Sequence, residues 1–208
     1  MSEATKAPIK AVVFDVGQVI VEWDLRHLFA KLIDDEAQLD WFLANVVTAQ
    51  WHFEHDAGRP LADVVPERKA LFPAYADLID AYAARFLETI PGPVEGTADL
   101  IRALASAGVP LFAITNFGAE FWEMFFPTQP VLQLFRDIVV SGQERLSKPD
   151  PAIFCLAQKR FSYAPEEMLF IDDNAANIAA AQQLGWQVHH FDVAASLAAD
   201  LRRRGLLT

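Results

Sequence analysis

The chain has 208 residues, of which 53% are hydrophobic, and its formal net charge is −11. This composition predicts a globular protein with one sizeable core, or one core with a smaller appended lobe. The acidic charge argues against nucleic acid or an anionic membrane as a partner. No apolar run reaches the roughly 18 residues that a membrane helix needs. The single cysteine, Cys155, cannot form an intrachain disulfide, which suits a cytoplasmic protein. Its helical surroundings favour a small core residue.

Short apolar runs alternate with helical patterns along most of the chain. The runs that predict strands are 11–15, 110–115, 137–141, 168–172 and 187–191. They are continuously apolar, which is typical of strands covered on both faces. Helical patterns occupy 94–108, 149–161, 174–185 and 193–205. This alternation predicts an α/β fold with a Rossmann-like, doubly wound parallel sheet.

The region after the first predicted strand breaks this alternation. Residues 24–90 contain several amphipathic helical stretches and no convincing strand, and the Pro/Gly-rich segment PGPVEG follows at 91–96. We therefore predict an all-helical cap at 22–91, inserted into a core that consists of 1–21 and 92–208. An insert at this position lies above the carboxyl ends of the strands, where open parallel sheets bind ligands.

Polar side chains stand where three of the predicted strands end. They are Asp15, the pair Thr115 and Asn116, and the pair Asp172 and Asp173, while Lys148 lies in a loop before a helix. Each one alone has an ordinary interpretation as a turn residue or a helix cap. Because the carboxyl ends of parallel strands share one edge of the sheet, the whole set indicates a single site.

The chemistry of this set favours a metal ion and an anionic substrate. Three clustered carboxylates repel one another unless a cation lies among them. Ligands that are all oxygen favour a hard ion such as Mg²⁺. A cation together with Lys148 would attract an anion, and a phosphorylated small molecule is the natural candidate.

Four segments of the chain resemble the motifs of the haloacid dehalogenase (HAD) superfamily of hydrolases. They are VVFDVGQVI at 12–20, FAITN at 112–116, LSKPDPAIF at 146–154 and LFIDDNAANIAAAQQLG at 169–185. The predicted helical insert is similar to the small helical cap of one large subgroup. Within that subgroup, the first and last motifs look closest to bacterial sugar-phosphate phosphatases and to the phosphatase domain of epoxide hydrolases.

The resemblance implies a magnesium site around a nucleophilic aspartate. Asp15 would attack phosphorus, forming an aspartyl-phosphate, and its other oxygen would bind Mg²⁺. The backbone carbonyl of Gly17 and the carboxylate of Asp173 would complete the protein ligands. Asp172 would act nearby, as a direct or a water-mediated ligand. Asn177, one helical turn after Asp173, would orient these groups.

The resemblance also assigns the groups that hold the phosphoryl oxygens. Thr115 and the amide of Asn116 would bind them, and Lys148 would neutralise the nucleophile and the developing charge of the transferred group. The implied protein is a Mg²⁺-dependent phosphatase of a small phosphorylated metabolite, such as a sugar phosphate. It would act as a monomer or a homodimer.

The chain departs from most phosphatases of this superfamily at Gly17, where they have an aspartate that protonates the leaving alcohol. One explanation is a replacement from the cap, where WHFEHDAGRP offers His52, Glu54, His55 and Asp56. The alternative for these residues is mere exposure to solvent, and Glu22 is a weaker candidate. Another explanation is a substrate whose leaving group needs little acid help. Contacts near the junction of cap and core are expected from Trp51, His55 and Arg59.

Two other functions stay open at this stage. One is a metal-independent 2-haloacid dehalogenase. Haloacid dehalogenases also use an aspartate nucleophile and lack an aspartate two residues after it. They need no metal, because halide leaves without protonation. The pair Asp172 and Asp173 argues against this function, since two more carboxylates would repel a haloacid. The third possibility is a ligand-binding module that kept the fold and lost the activity, although every residue that matches the catalytic motifs is present except at Gly17.

Overall fold

The computed structural model describes residues 7–208, and five parallel strands form its centre. The strands are β1 (Ala11–Phe14), β2 (Leu111–Thr115), β3 (Asp137–Val140), β4 (Met168–Asp172) and β5 (Gln187–His190). Their order across the sheet is β3-β2-β1-β4-β5, so β1 is central. Each predicted strand is confirmed to within one residue at either end. The α/β class with a doubly wound parallel sheet is confirmed as well.

Both faces of the sheet are covered by helices, which explains the continuously apolar strands. In β1, Val12 and Phe14 belong to the core on one face, whereas Ala11 and Val13 belong to the core on the other. All four side chains are fully buried. A strand covered on one side only would alternate apolar and polar residues. The helices that follow β2 to β5 supply the cover, and they are α7 (Ala119–Phe125), α8 (Ser141–Glu144), α9 (Pro151–Phe161), α10 (Ala175–Gln183) and α11 (Ala194–Arg203).

Residues 22–91, called the helical segment below, lie between β1 and α6 (Thr97–Ser106). The segment contains α1 (Leu25–Phe29), α2 (Glu36–Asn45), α3 (Ala49–Asp56), α4 (Leu61–Leu71), α5 (Ala76–Ala84) and a 3-10 turn at Phe86–Thr89. An aromatic cluster joins it to α7, in which Phe86 stacks on Phe121 with ring centroids 3.7 Å apart. Burial of such large rings contributes about 2 kcal/mol each or more.

Helix α3 is an element that the sequence pattern did not predict. Its start is an ordinary cap, because the Thr48 hydroxyl accepts a hydrogen bond from Trp51 N–H at 3.0 Å. Its buried residues include His52, His55 and Asp56. Because polar residues occupy the buried face, the apolar periodicity that announces a helix is missing.

The placement of Cys155 also corrects the sequence analysis, because its side chain is exposed on α9. The buried stripe of α9 consists of Ile153, Phe154, Ala157 and Phe161. At 3.6 residues per turn, position 155 points away from that stripe. No helix within residues 7–208 combines the length and the apolar character that crossing a membrane requires.

Candidate active site

The carboxyl edge of the sheet brings together residues from three neighbouring strands. Asp15 directly follows the central strand β1, and its backbone N–H donates to the Ile171 carbonyl of β4 at 2.8 Å. Thr115 ends β2 and Asp172 ends β4. The chain passes from β1 to β2 and β3 on one side, and then returns to β4 on the other side. The site therefore lies at the point where the strand order reverses, which is where open α/β sheets bind ligands.

Lys148 joins the carboxylates of two strands. Its Nζ lies 2.8 Å from Oδ1 of Asp15 and 2.7 Å from Oδ2 of Asp172. Asn116 fixes the backbone of Lys148, because Asn116 Nδ2 donates to the Lys148 carbonyl at 2.9 Å and Oδ1 accepts from the Lys148 N–H at 2.8 Å. The side-chain amide of Asn116 thus holds the lysine loop. This contact differs from the role in binding phosphoryl oxygens that the resemblance implies for the Asn116 amide.

Asp172 is fully buried and its carboxylate is enclosed by donors. Nδ2 of Asn177 lies 3.0 Å from both of its oxygens, and the backbone N–H of Asn174 donates to Oδ1 at 2.8 Å. Lys148 takes the remaining side. These contacts make Asp172 the group that positions Lys148, whereas its neighbour Asp173 lines the open cavity.

Burial and like charges perturb the ionisation of the site. Burial and, to a smaller extent, the charge of Asp172 raise the pKa of Asp15 against the opposing effect of Lys148, and the net pKa is about 8. Burial lowers the pKa of Lys148, but Asp15 and Asp172 outweigh it and the net pKa is raised. Burial and then the charge of Asp172 raise the pKa of Asp173. Three carboxylates thus lie close together beside one lysine, so ionisation of all three would leave a net negative charge.

A cavity of about 200 Å³ opens above these groups. Its floor is charged and polar, and comprises Asp15, Gly17, Asn116, Lys148, Asp173 and Asn177. Its wall is largely aromatic, with Trp23, His52, Phe86 and Phe117, and includes the carboxylate of Asp56. A concave site with an apolar wall and a few convergent polar groups is the usual form of a small-molecule site.

His52 organises the part of the wall that comes from the helical segment. Its ring stacks on Trp23 at 4.7 Å between centroids and on Phe86 at 5.6 Å. Its Nδ1 lies 2.7 Å from the Tyr82 hydroxyl, and its Nε2 lies 3.2 Å from Oδ2 of Asp56. Stacking on both faces and a partner at each nitrogen fix the orientation of the ring.

The structure shows which of the candidates for the general acid that is absent at Gly17 line the cavity and which do not. His52 and Asp56 are buried and line the cavity. His55 is buried too, but its Nε2 faces Glu120 at 3.6 Å. Glu54 pairs with Arg59 on the outer side of α3, and Glu22 is exposed. Mere exposure is therefore wrong for three of the four cap candidates.

The three residues expected near the junction of cap and core occupy different places. Trp51 packs against Tyr82 inside the helical segment, with ring centroids 4.8 Å apart. His55 does lie against the loop after β2, where it contacts Gly118. Arg59 pairs with acidic residues of its own segment, Glu54 and Glu67.

Sequence reasoning missed several residues that shape the site. Phe86, Phe117 and Trp23 form the aromatic wall, but in the sequence they are indistinguishable from ordinary core residues. Ser141, the first residue after β3, donates from Oγ to the Asp56 carbonyl at 2.5 Å and accepts from Phe117 N–H at 2.9 Å. No local signal predicts this bridge, because its partners lie 24 and 85 positions away along the chain.

This arrangement agrees with the comparison of the chain to known families. A family model described as haloacid dehalogenase-like hydrolase matches residues 9–185. The chain belongs to this family. The resemblance found in the sequence is thereby confirmed, and the protein is a HAD-like hydrolase.

Relatives of this HAD-like hydrolase include both dehalogenases and phosphatases. It is 31% identical over 96 residues to an (S)-2-haloacid dehalogenase of Pseudomonas putida, covering 46% of this chain and 42% of that one. It is 30% identical over 114 residues to a phosphoglycolate phosphatase of Pseudomonas putida, covering 55% and 41%. It is 24% identical over 196 residues to the sesquiterpene phosphatase AstK of Aspergillus oryzae, covering 93% and 95%. The chain thus matches less than half the length of the first curated relatives.

Solved structures of HAD-like proteins share the fold over nearly the full chain. A predicted HAD-like family hydrolase from Porphyromonas gingivalis superposes with a TM-score of 0.74 at 20% identity, covering 95% of this chain and 98% of that one. A HAD family enzyme from Bacteroides thetaiotaomicron, solved as a variant in complex with magnesium and inorganic phosphate, gives a TM-score of 0.67 at 19% identity, covering 89% and 95%. At these identities the likeness concerns the fold.

Proposed function

We propose that this HAD-like hydrolase cleaves phosphate monoesters with the help of Mg²⁺, through an aspartyl-phosphate on Asp15. The observation that carries the proposal is the position of Lys148, whose ammonium lies within hydrogen-bond distance of both Asp15 and Asp172. A nucleophilic carboxylate beside a buried cation, at the floor of a cavity, is suited to attack on an anionic phosphoryl group.

The donor set of the site fits a magnesium ion. One oxygen from each of Asp15, Asp172 and Asp173 lies within 4.8 Å of the others, and all are hard donors. The raised pKa values of Asp15 and Asp173 indicate that a further cation would be stabilised there. Because the carboxylate of Asp172 is enclosed by its own donors, we assign the ion to Asp15, Asp173 and the carbonyl of Gly17.

The residues of the chain would divide the reaction among themselves. Asp15 would attack phosphorus, and Lys148 would stabilise both this carboxylate and the charge on the transferred group. Thr115 has a buried hydroxyl without a hydrogen-bond partner among residues 7–208, and it would donate to a phosphoryl oxygen. A bound Mg²⁺ would supply additional charge stabilisation. Water would then hydrolyse the aspartyl-phosphate and regenerate Asp15.

We also propose that the helical segment is a cap over a core formed by residues 1–21 and 92–208. Its His52, Asp56 and Phe86 line the same cavity as Asp15 and Lys148 of the core. The aromatic wall and the small volume favour a small phosphorylated metabolite, such as a sugar phosphate. The single cysteine supports a cytoplasmic location.

The relatives support phosphatase chemistry and also supply the second candidate. The sesquiterpene phosphatase matches along 95% of its length, and the Bacteroides enzyme was solved with magnesium and inorganic phosphate. The haloacid dehalogenases favour halide release instead. We prefer phosphatase chemistry, because the carboxylates of Asp172 and Asp173 beside Asp15 would repel the carboxylate of a haloacid.

The test is phosphate release from sugar phosphates, nucleotides and 4-nitrophenyl phosphate, measured with Mg²⁺ and with EDTA. Asp15→Asn should abolish turnover, whereas Asp192→Asn should not, because Asp192 is an exposed aspartate that follows β5. Release that needs both the metal and Asp15 supports the proposal. The absence of phosphate release, together with halide release from 2-haloacids, would establish the dehalogenase.

A further inference from the structure

The cavity has no proton donor at the position two residues after the nucleophile, because Gly17 stands there and lines the cavity floor. When the P–O bond of an alkyl phosphate breaks without proton transfer, the alcohol group departs as a strongly basic alkoxide. A positioned acid accelerates such a step by about 10²–10⁴-fold. An inference about this acid rests on the phosphate monoester hydrolysis proposed above. For an alkyl phosphate substrate, we look for this acid among the other residues of the cavity.

Five of the residues that line the cavity can carry a titrating proton, namely Asp15, His52, Asp56, Lys148 and Asp173. Asp15 is the nucleophile. Lys148 is bound between two carboxylates, and Asp173 is assigned to the metal ion. His52 and Asp56, both on α3, are the two that remain.

We propose that Asp56 is the general acid and base of this enzyme, and that His52 positions its carboxyl group. Asp56 lies in the wall of the same cavity whose floor holds Asp15. Its side chain is nearly buried, and its Oδ2 lies 3.2 Å from His52 Nε2. The helical segment thus supplies the function that the first motif lacks.

The backbone of Asp56 is fixed to the sheet edge. Its carbonyl accepts a hydrogen bond from Ser141 Oγ, which also accepts from the N–H of Phe117. One turn of helix away from His52, the ring of His55 lies so close to Gly118 that a Cβ on that glycine would be 2.0 Å from it. These contacts hold α3 against the loop after β2, and a catalytic group needs such a fixed position.

The contacts of His52 define which oxygen of Asp56 is available. Burial raises the pKa of the Tyr82 hydroxyl well above its usual value, and the charge of Asp56 adds to this effect. Tyr82 therefore keeps its proton, and its hydroxyl lies within hydrogen-bond distance of His52 Nδ1, at 2.7 Å. His52 Nε2 lies 3.2 Å from Oδ2 of Asp56, so the ring occupies the side of that oxygen, and the proposal places the catalytic proton on Oδ1.

The two chemical steps balance through Asp56. In the first, Asp15 forms a bond to phosphorus, the bond from phosphorus to the leaving oxygen breaks, and that oxygen takes the proton of the Asp56 carboxyl as the alcohol departs. In the second, the Asp56 carboxylate takes a proton from water while the water oxygen attacks phosphorus. The bond between Asp15 and phosphorus breaks, inorganic phosphate leaves, and the Asp15 carboxylate and protonated Asp56 are restored.

The experiment compares rates for a series of substituted phenyl phosphates, from 4-nitrophenyl to 4-methoxyphenyl, at saturating Mg²⁺. We expect Asp56→Asn to slow the 4-nitrophenyl ester less than tenfold and the most basic leaving group by about 10²-fold or more, so that the dependence of rate on leaving-group pKa becomes steeper. Glu54→Gln is the matched control, because Glu54 lies on the same helix and pairs with Arg59. If Asp56→Asn does not fold, Asp56→Ser replaces it with the same expectation.

A second substitution, at Gly17, distinguishes loss of the general acid from a general loss of structure in Asp56→Asn. A Cβ at Gly17 would meet no atom within 4 Å, so Gly17→Asp can place a carboxyl on the cavity floor. We expect that adding Gly17→Asp to the Asp56→Asn variant restores the shallow dependence of rate on leaving-group pKa. An equal loss for every ester, or no loss at all, would overturn the role of Asp56. Failure of the proposed function would be different, since no ester would then release phosphate in an Asp15-dependent way.

Discussion

Replacement of Asp15 by asparagine tests the electrostatic description of the site through stability. The substitution keeps the shape of the side chain and removes its charge. Burial raises the pKa of Asp15 from 3.8 in the unfolded chain to about 8 in the folded protein. A group with a raised pKa contributes stability fully below the unfolded pKa, and this contribution is lost as the pH rises through the folded pKa. The wild type should therefore lose stability over that interval, and Asp15→Asn should not.

The size of the effect follows from the two pKa values. At pH 7 the pH is about 3 units above the unfolded pKa, and each unit corresponds to about 1.4 kcal/mol. The free energy of unfolding of the wild type is therefore lower by about 4 kcal/mol at pH 7 than at low pH. Above pH 8 the loss levels off at roughly 6 kcal/mol. Added Mg²⁺ should recover part of it in the wild type, because the ion favours the ionised carboxylate.

Urea unfolding in EDTA, at about pH 5, 7 and 9, measures the difference between the two proteins. Asp15→Asn should exceed the wild type in free energy of unfolding, by an amount that grows with pH and shrinks on addition of Mg²⁺. Asp34→Asn, at an exposed loop aspartate, is the control and should track the wild type. A difference that is the same at all three pH values would refute the reasoning.

Three further substitutions test the contacts around the site. Lys148→Met leaves the carboxylates of Asp15 and Asp172 without their cation, so urea unfolding should show a loss of about 3–5 kcal/mol; unchanged stability would contradict the buried pairing. Gly118→Ala places a Cβ 2.0 Å from the His55 ring and should cost about 1–3 kcal/mol and lower kcat/KM, whereas Gly92→Ala, where the Cβ meets open space, should do neither. Phe86→Ala removes the ring stacked on Phe121 and His52; thermal unfolding should show a loss of about 3–5 kcal/mol, and a loss below 1 kcal/mol would show that this cluster is loosely packed.

The sheet could be predicted well because its signals are local. A strand buried on both faces must be apolar along its length. Ala11–Phe14 is apolar throughout, and Met168–Asp172 is apolar except for Asp172 at its end. The polar residues that end these strands were visible for the same reason. Because the carboxyl ends of parallel strands lie at the same edge of a sheet, the sequence alone was enough to predict that Asp15 and Asp172 lie close together.

The division of labour within the site was not visible in the sequence. Asp172 and Asp173 are adjacent acidic residues, and only the packed structure separates them. One is enclosed by Lys148, Asn177 and a backbone N–H, and the other lines the cavity. Likewise, the side chain of Asn116 could have bound phosphate, but it forms two hydrogen bonds to the backbone of Lys148.

The sequence by itself determined the family, the strands and the residues at their ends, because each depends on a short stretch of chain. Only the tertiary structure decided what closes the site, because α3 buries polar residues and shows no helical periodicity in its sequence. His52 and Asp56 reach the cavity through stacking on Trp23 and Phe86 and through the bond from Ser141. These partners are distant along the chain, and folding alone brings them together.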